Sequence, residues 1–101
     1  MRYMIIFSQL ASEDLTEILG WYKTRDVAGL DKRFIEFISK TLKRIEFAPH
    51  MYPIVHKNIR CALLKTFPYK ILYYEDDSKS EVHIIAVIHQ SRDPKIWKKR
   101  I

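Results

Sequence analysis

Two periods of apolar and polar positions divide the chain. Residues 3–7 (YMIIF) form a short apolar run rich in β-branched side chains, which predicts a strand with both faces partly covered. A helical period follows. Ala11, Leu15, Ile18, Leu19 and Tyr22 recur at helical spacing, so a helix is expected from about residue 9 to 24. Ser8 stands where its cap belongs, and Glu13 and Asp14 fall early, where negative charge suits the helix dipole. Gly20 weakens this helix, and a close helix contact would explain it.

After a break at residues 25–29, Leu30, Phe34, Phe37, Ile38, Leu42 and Ile45 make a clear amphipathic stripe that Pro49 ends. Two helices with a short break predict an antiparallel hairpin whose apolar stripe covers a sheet. Residues 50–58 contain Tyr52-Pro53 and read as a loop or irregular edge.

The last third carries the densest strand signal. Residues 59–65 (IRCALLK), 69–74 (YKILYY) and 81–89 (EVHIIAVIH) are separated by a turn at Phe67-Pro68 and a polar turn EDDSKS. Short turns make these three an antiparallel meander, with the last two at the centre of the sheet. Asp93-Pro94 then starts a final short helix, with an aspartate cap and proline at the first helical position. The predicted class is α+β, in the order β-α-α-β-β-β-α. A helical hairpin packs on a small twisted antiparallel sheet, in one domain over residues 1–101.

Composition narrows the classes of function. With 48% hydrophobic and 13% aromatic residues, the chain is globular. Its net charge of +6 favours an acidic partner: nucleic acid, the ribosome or an acidic protein segment. The single cysteine, Cys61, excludes an internal disulfide and fits a reducing cytosol, where it reads as a buried hydrophobe. No apolar run approaches a membrane span and the N-terminal apolar run is too short for a signal peptide, so a cytoplasmic protein with no membrane partner is expected. Both glycines are isolated, which excludes a Gly-rich phosphate loop. His50, His56, His83, His89 and Cys61 lack metal-ligand spacing, and neither metal nor cofactor is expected.

The ending Phe67-Pro68-Tyr69, Tyr73-Tyr74, Ala86-Val87, His89, Arg92-Asp93-Pro94 and Trp97 resembles the RelE/ParE superfamily of type II toxin–antitoxin systems, on its ParE-like branch. Ala11, Asp14-Leu15, Ile18, Phe34, Ile38, Ile45, Pro49 and Pro53 extend the resemblance over nearly the whole chain. It implies the fold already derived, and a growth-inhibiting toxin of the plasmid-stabilisation kind, neutralised by a cognate antitoxin that wraps an often acidic segment around it. A dimer or a toxin–antitoxin hetero-oligomer is the implied assembly. ParE-like members poison DNA gyrase by protein–protein contact and are not thought to do chemistry. RelE-like members are ribosome-dependent endoribonucleases that cut messenger RNA.

Residues must separate these activities. Cleavage through a 2′-hydroxyl needs a base, an acid and cations around the phosphate. The candidates for that chemistry are Arg60, His89 and Arg92, with Lys65 and His83 also considered. No tyrosine follows Tyr74, so the terminal tyrosine common among RelE-like ribonucleases is absent. Strict alternation would place His83, Ile85, Val87 and His89 on one face of the last strand, the two histidines about 20 Å apart, too far for one acid–base pair. His89 could equally anchor the tail by a local hydrogen bond, and Arg92-Asp93 could form a cap and ion pair. Trp97 and Ile101, four apart, would pack together on the body. Lys95, Lys98, Lys99 and Arg100 would then face solvent as a basic patch available to a target. Tyr69 and Tyr73 fall on the opposite face from Lys70 and Tyr74, so a single base-stacking platform is not expected. The expected function is a ParE-like gyrase-directed toxin. A RelE-like endoribonuclease is the alternative, and an inactive family member or nucleic-acid-binding module the second alternative.

Overall fold

The computed structural model describes residues 2–25 and 27–101. Strand β1 (Met4–Phe7) leads into helix α1 (Gln9–Lys23), and helix α2 (Leu30–Phe47) returns antiparallel to it. A 3-10 turn at Pro49–Met51 precedes four strands, β2 (Ile54–His56), β3 (Ile59–Leu63), β4 (Tyr69–Asp76) and β5 (Glu81–His89). The chain closes with α3 (Lys95–Lys98). These strands form one sheet in the order β1-β5-β4-β3-β2. The predicted class and element order hold, with the irregular edge resolved into a 3-10 turn and the three-residue β2.

One pairing departs from the expected antiparallel sheet. β1 lies parallel to β5, with Met4 opposite Glu81 and Phe7 opposite Ile84. A parallel neighbour needs a long crossover, which here is the rest of the molecule. β1 ends at Phe7, so the edge of β5 beyond Ile84 lies bare of any strand.

The helices form for the reasons their patterns suggest. The Ser8 side chain accepts the Ala11 N–H at 3.1 Å and caps α1. Ala11, Ile18 and Tyr22 of α1 and Phe34, Ile38 and Ile45 of α2 are buried against Ile71, Tyr73, Val82, Ile84 and Val87 of the sheet. Gly29 opens α2 at φ 79°, a left-handed conformation that glycine adopts without steric cost. The close contact expected at Gly20 is not there, because a Cβ on it would meet nothing within 4 Å.

The reverse face of the sheet holds a smaller apolar cluster of Ile59, Leu72, Ile85, Ala86 and Ile88, closed by Trp97. Trp97 is buried as expected, at 3% exposure, but Ile101 is 54% exposed. The helical turn ends at Lys98, so the four-residue spacing no longer sets one face. Cys61 packs against this cluster, half-buried, and burial pushes its thiol pKa up.

Candidate functional site: a cleft behind the β5 bulge

Strict alternation fails inside β5. Leu72 pairs with Ala86, but Tyr73 pairs with Ile84, which leaves Ile85 as an extra residue. Before the bulge Val82 and Ile84 face the helices; after it Val87 does, while Ile85, Ala86 and Ile88 join the reverse cluster. The expected grouping of His83 with His89 is therefore corrected. His83 lies on the reverse face, stacked on Tyr74 at 5.0 Å between ring centroids and 13° between planes. His89 sits on the helix side, edge-on to Tyr69 at 5.5 Å.

Side chains from distant parts of the chain fill the bulge. Asp14 of α1 accepts the Val87 N–H at 3.0 Å and two bonds from the Arg100 guanidinium, at 2.6 and 3.1 Å. Arg100 also donates to the Ile85 carbonyl at 2.9 Å. Both side chains are mostly buried, at 14% and 15% exposure. They satisfy backbone groups of β5 where β1 has ended, at an edge that would otherwise be open. Arg100 is thus not part of a solvent-facing basic patch, a correction to the expectation from its run of neighbours. Lys95, Lys98 and Lys99 are exposed.

Beyond the bulge, a cleft of about 170 Å³ opens between α1 and the end of β5. Asp14, Glu17 and Trp21 line it from the helix, and Tyr69, His89 and Arg92 from the sheet and the following turn, over Ile18 and Val87. His89 is held by its neighbour: Nδ1 accepts the Ser91 backbone N–H at 3.1 Å and lies 2.7 Å from the Ser91 hydroxyl. A nitrogen that accepts an amide N–H carries no proton itself, so neutral His89 bears its proton on Nε2. Arg92 is exposed and makes no ion pair among the described residues. The expected Arg92–Asp93 pair does not form, because the Asp93 carboxylate accepts the Lys95 N–H at 2.9 Å and caps the last turn.

The structure brings two of the three ribonuclease candidates together and leaves the third elsewhere. Arg60 stands opposite Tyr73 and His89 opposite Tyr69, four residues apart along β4, or about 14 Å. Arg60 makes a bidentate pair with Glu75 at 2.9 and 3.1 Å and donates to the Tyr52 carbonyl at 2.8 Å. Hydrogen bonding to Glu75 raises its pKa further and keeps it charged. Glu75 belongs to a wider network in which Asp77 accepts the Tyr3 hydroxyl at 2.8 Å and meets His50 Nε2 at 3.0 Å. His50, Glu75 and Asp77 offer ligand atoms within 4.8 Å of one another. Arg60 and Tyr3 already engage those carboxylates, so the network reads as a brace joining β1, the 3-10 turn and β4. His56, the other histidine of that segment, lies instead against Trp97.

A sequence signal for the bulge existed at Asp14. It lies three residues after Ala11 and four before Ile18, on the buried stripe of α1, and a carboxylate there requires partners.

Comparison with known proteins agrees with this architecture. Residues 5–94 match the family model for the ParE toxin of the type II toxin–antitoxin system, parDE. The chain belongs to that family. No curated protein sequence matches it significantly. Among solved structures, the chromosomal ParDE toxin–antitoxin system from P. aeruginosa superposes with a TM-score of 0.73 at 14% identity, over 87% of this chain and 96% of that one. The intact E. coli RelBE toxin–antitoxin complex gives 0.63 at 16% identity, over 89% and 99%. The RelBE2 complex from Mycobacterium tuberculosis gives 0.59 at 20%, over 88% and 99%. At these identities the likeness is one of fold, shared by ParE and RelE proteins alike, so for this ParE family member the site residues must carry the choice of activity.

Proposed function

We propose that this chain is the toxin of a type II toxin–antitoxin pair. In this reading it arrests growth by binding DNA gyrase through protein–protein contact, acts in the cytoplasm and is neutralised by a cognate antitoxin. Family membership supports the toxin role. The observation that carries the non-enzymatic reading is the dispersal of the candidate cleavage residues. Arg60 is committed to Glu75, and His89 presents a proton on Nε2 where a general base needs a lone pair. Among the described residues no helix is long and apolar enough to cross a membrane.

Charge and surface support the antitoxin. A net charge of +6 speeds encounter with an acidic segment. Leu10, Trp21 and Ile35 on the hairpin, and Ile54, Val55 and Leu63 at the β2 side, are exposed apolar positions that a wrapped segment would cover.

One observation favours the second reading, a ribosome-dependent messenger RNA endoribonuclease: His89 and Arg92 share one cleft. Acute induction of the chain alone, with labelled thymidine and methionine followed together, separates the two. Early loss of DNA synthesis and inhibition of purified gyrase in a supercoiling assay are expected. Early loss of protein synthesis with unaffected supercoiling would replace the first reading by the second.

A further inference from the structure

Among the residues lining the cleft beside α1, Arg92 is a cation held in no ion pair, with Glu17 the one lining carboxylate left unpaired among the described residues. Asp14 is neutralised by Arg100, and Asp93 is turned to the backbone of the last helical turn. Arg92 lines the cleft, exposed and without an ion pair among the described residues. Beside it, the Ser91 N–H fixes the His89 tautomer so that Nε2 is a donor. Trp21, half-exposed at 50%, stands on the opposite wall with the Arg25 guanidinium 3.8 Å above its ring.

We infer that this cleft is an anchor pocket for a single carboxylate side chain of a protein partner, with Arg92 and His89 Nε2–H as donors and Trp21 as the wall for an adjoining apolar side chain. Three features select that occupant. A volume of about 170 Å³ is below the roughly 300–1,000 Å³ of small-molecule sites and suits one anchoring side chain. A guanidinium beside a fixed N–H donor matches a carboxylate, whose oxygens accept both. Glu17 on the same wall offsets part of the attraction, so one localised negative charge is favoured over a nucleic-acid backbone. The bulge at Ile85 is what makes the pocket, since without it His89 would fall on the reverse face. The inference does not depend on whether gyrase or the ribosome is the target.

Titration of the full chain with isovalerate, followed by NMR of the His89 ring and the Trp21 indole, tests this. Isovalerate carries a carboxylate on a short branched stem. Saturable shifts at both residues are expected at millimolar concentration, with the buried Trp97 indole unmoved. The neutral analogue isovaleramide should bind at least about tenfold more weakly, as should isovalerate to Arg92→Gln. Arg92 is exposed and unpartnered, so that variant folds, and Lys98→Gln, outside the cleft, should bind as the parent does. Equal response to the amide, no response at all, or binding unchanged by Arg92→Gln overturns the inference. Tighter binding of dimethyl phosphate than of isovalerate also overturns it and assigns the cleft to a nucleic-acid backbone.

Discussion

Asp14 and Arg100 stand 86 residues apart in the chain and meet through two hydrogen bonds, of 2.6 and 3.1 Å, at the bulge of β5. The pair joins α1 to the C-terminal segment and supplies the acceptor for the Val87 N–H and a donor for the Ile85 carbonyl. Removing Arg100 leaves the mostly buried Asp14 carboxylate uncompensated and the Ile85 carbonyl without its donor. Arg100→Ala is therefore expected to cost about 3 kcal/mol, the low end for breaking a buried pair. Arg100→Lys should recover part of it, since an ammonium cannot reproduce the two-pronged contact. Denaturant midpoints measure both, and amide exchange at Val87 should quicken most in Arg100→Ala. An Arg100→Ala midpoint equal to the parent's would mean that the bulge holds without its plug.

Gly20 offers a test of the opposite sign. It lies inside α1, exposed, at a position where an added Cβ meets nothing within 4 Å. Glycine within a helix costs about 0.5–1 kcal/mol relative to alanine. Gly20→Ala should therefore stabilise the protein by that amount, read as a raised denaturant midpoint at constant m-value. A loss of stability would reveal a requirement for glycine that the packing does not contain.

How far the sequence carries the fold depends on whether a residue's placement is set locally. The stripes of α1 and α2, the Ser8 cap and the extent of β5 are set by residues close in the chain, and they were legible. The three-residue β2 was not, because Tyr52-Pro53 reads as a loop and only pairing with β3 makes the strand. The bulge at Ile85 was hidden for a stronger reason. Its stabilising partners come from residues 14 and 100, and a run of apolar residues looks the same in either register. The site inherited that blindness: one extra residue moved His89 to the other face. Arg100 read like its lysine neighbours, since charge alone does not reveal a buried partner.

Tyrosine ionisation should set the alkaline limit of stability. Burial raises the pKa of Tyr22 to about 12, helped by Tyr69, and pushes that of Tyr73 higher still against the opposing effect of Arg60. Unfolded tyrosines ionise near pH 10. Above that pH the unfolded chain releases protons that the folded one keeps, so stability falls as pH rises. The contribution of these two groups is complete below about pH 10 and is lost on passing through their folded-state values. Phenolate absorbance followed against pH, beside a denaturant series at each pH, checks this. Full ionisation of the folded protein near pH 10 would contradict the burial of both rings.

His89 gives the sharpest separation of the two activities at one residue. Its Nδ1 accepts the Ser91 N–H, and its neutral form carries the proton on Nε2. A side chain so held can donate to a partner but is in the wrong tautomer to take a proton from a 2′-hydroxyl. His89→Gln keeps an N–H donor near the Nε2 position and removes all acid–base capacity. If the protein acts by contact, growth arrest on induction should survive in His89→Gln with at most a few-fold change in the level of protein required. General acid–base catalysis contributes about 10²–10⁴-fold, so a ribonuclease that used His89 would lose nearly all activity in the same variant. His89→Ala completes the comparison, because it removes the donor as well. Arrest kept by the glutamine variant and weakened by the alanine variant would assign His89 to binding, whereas equal and complete loss in both would make it a proton-transfer group.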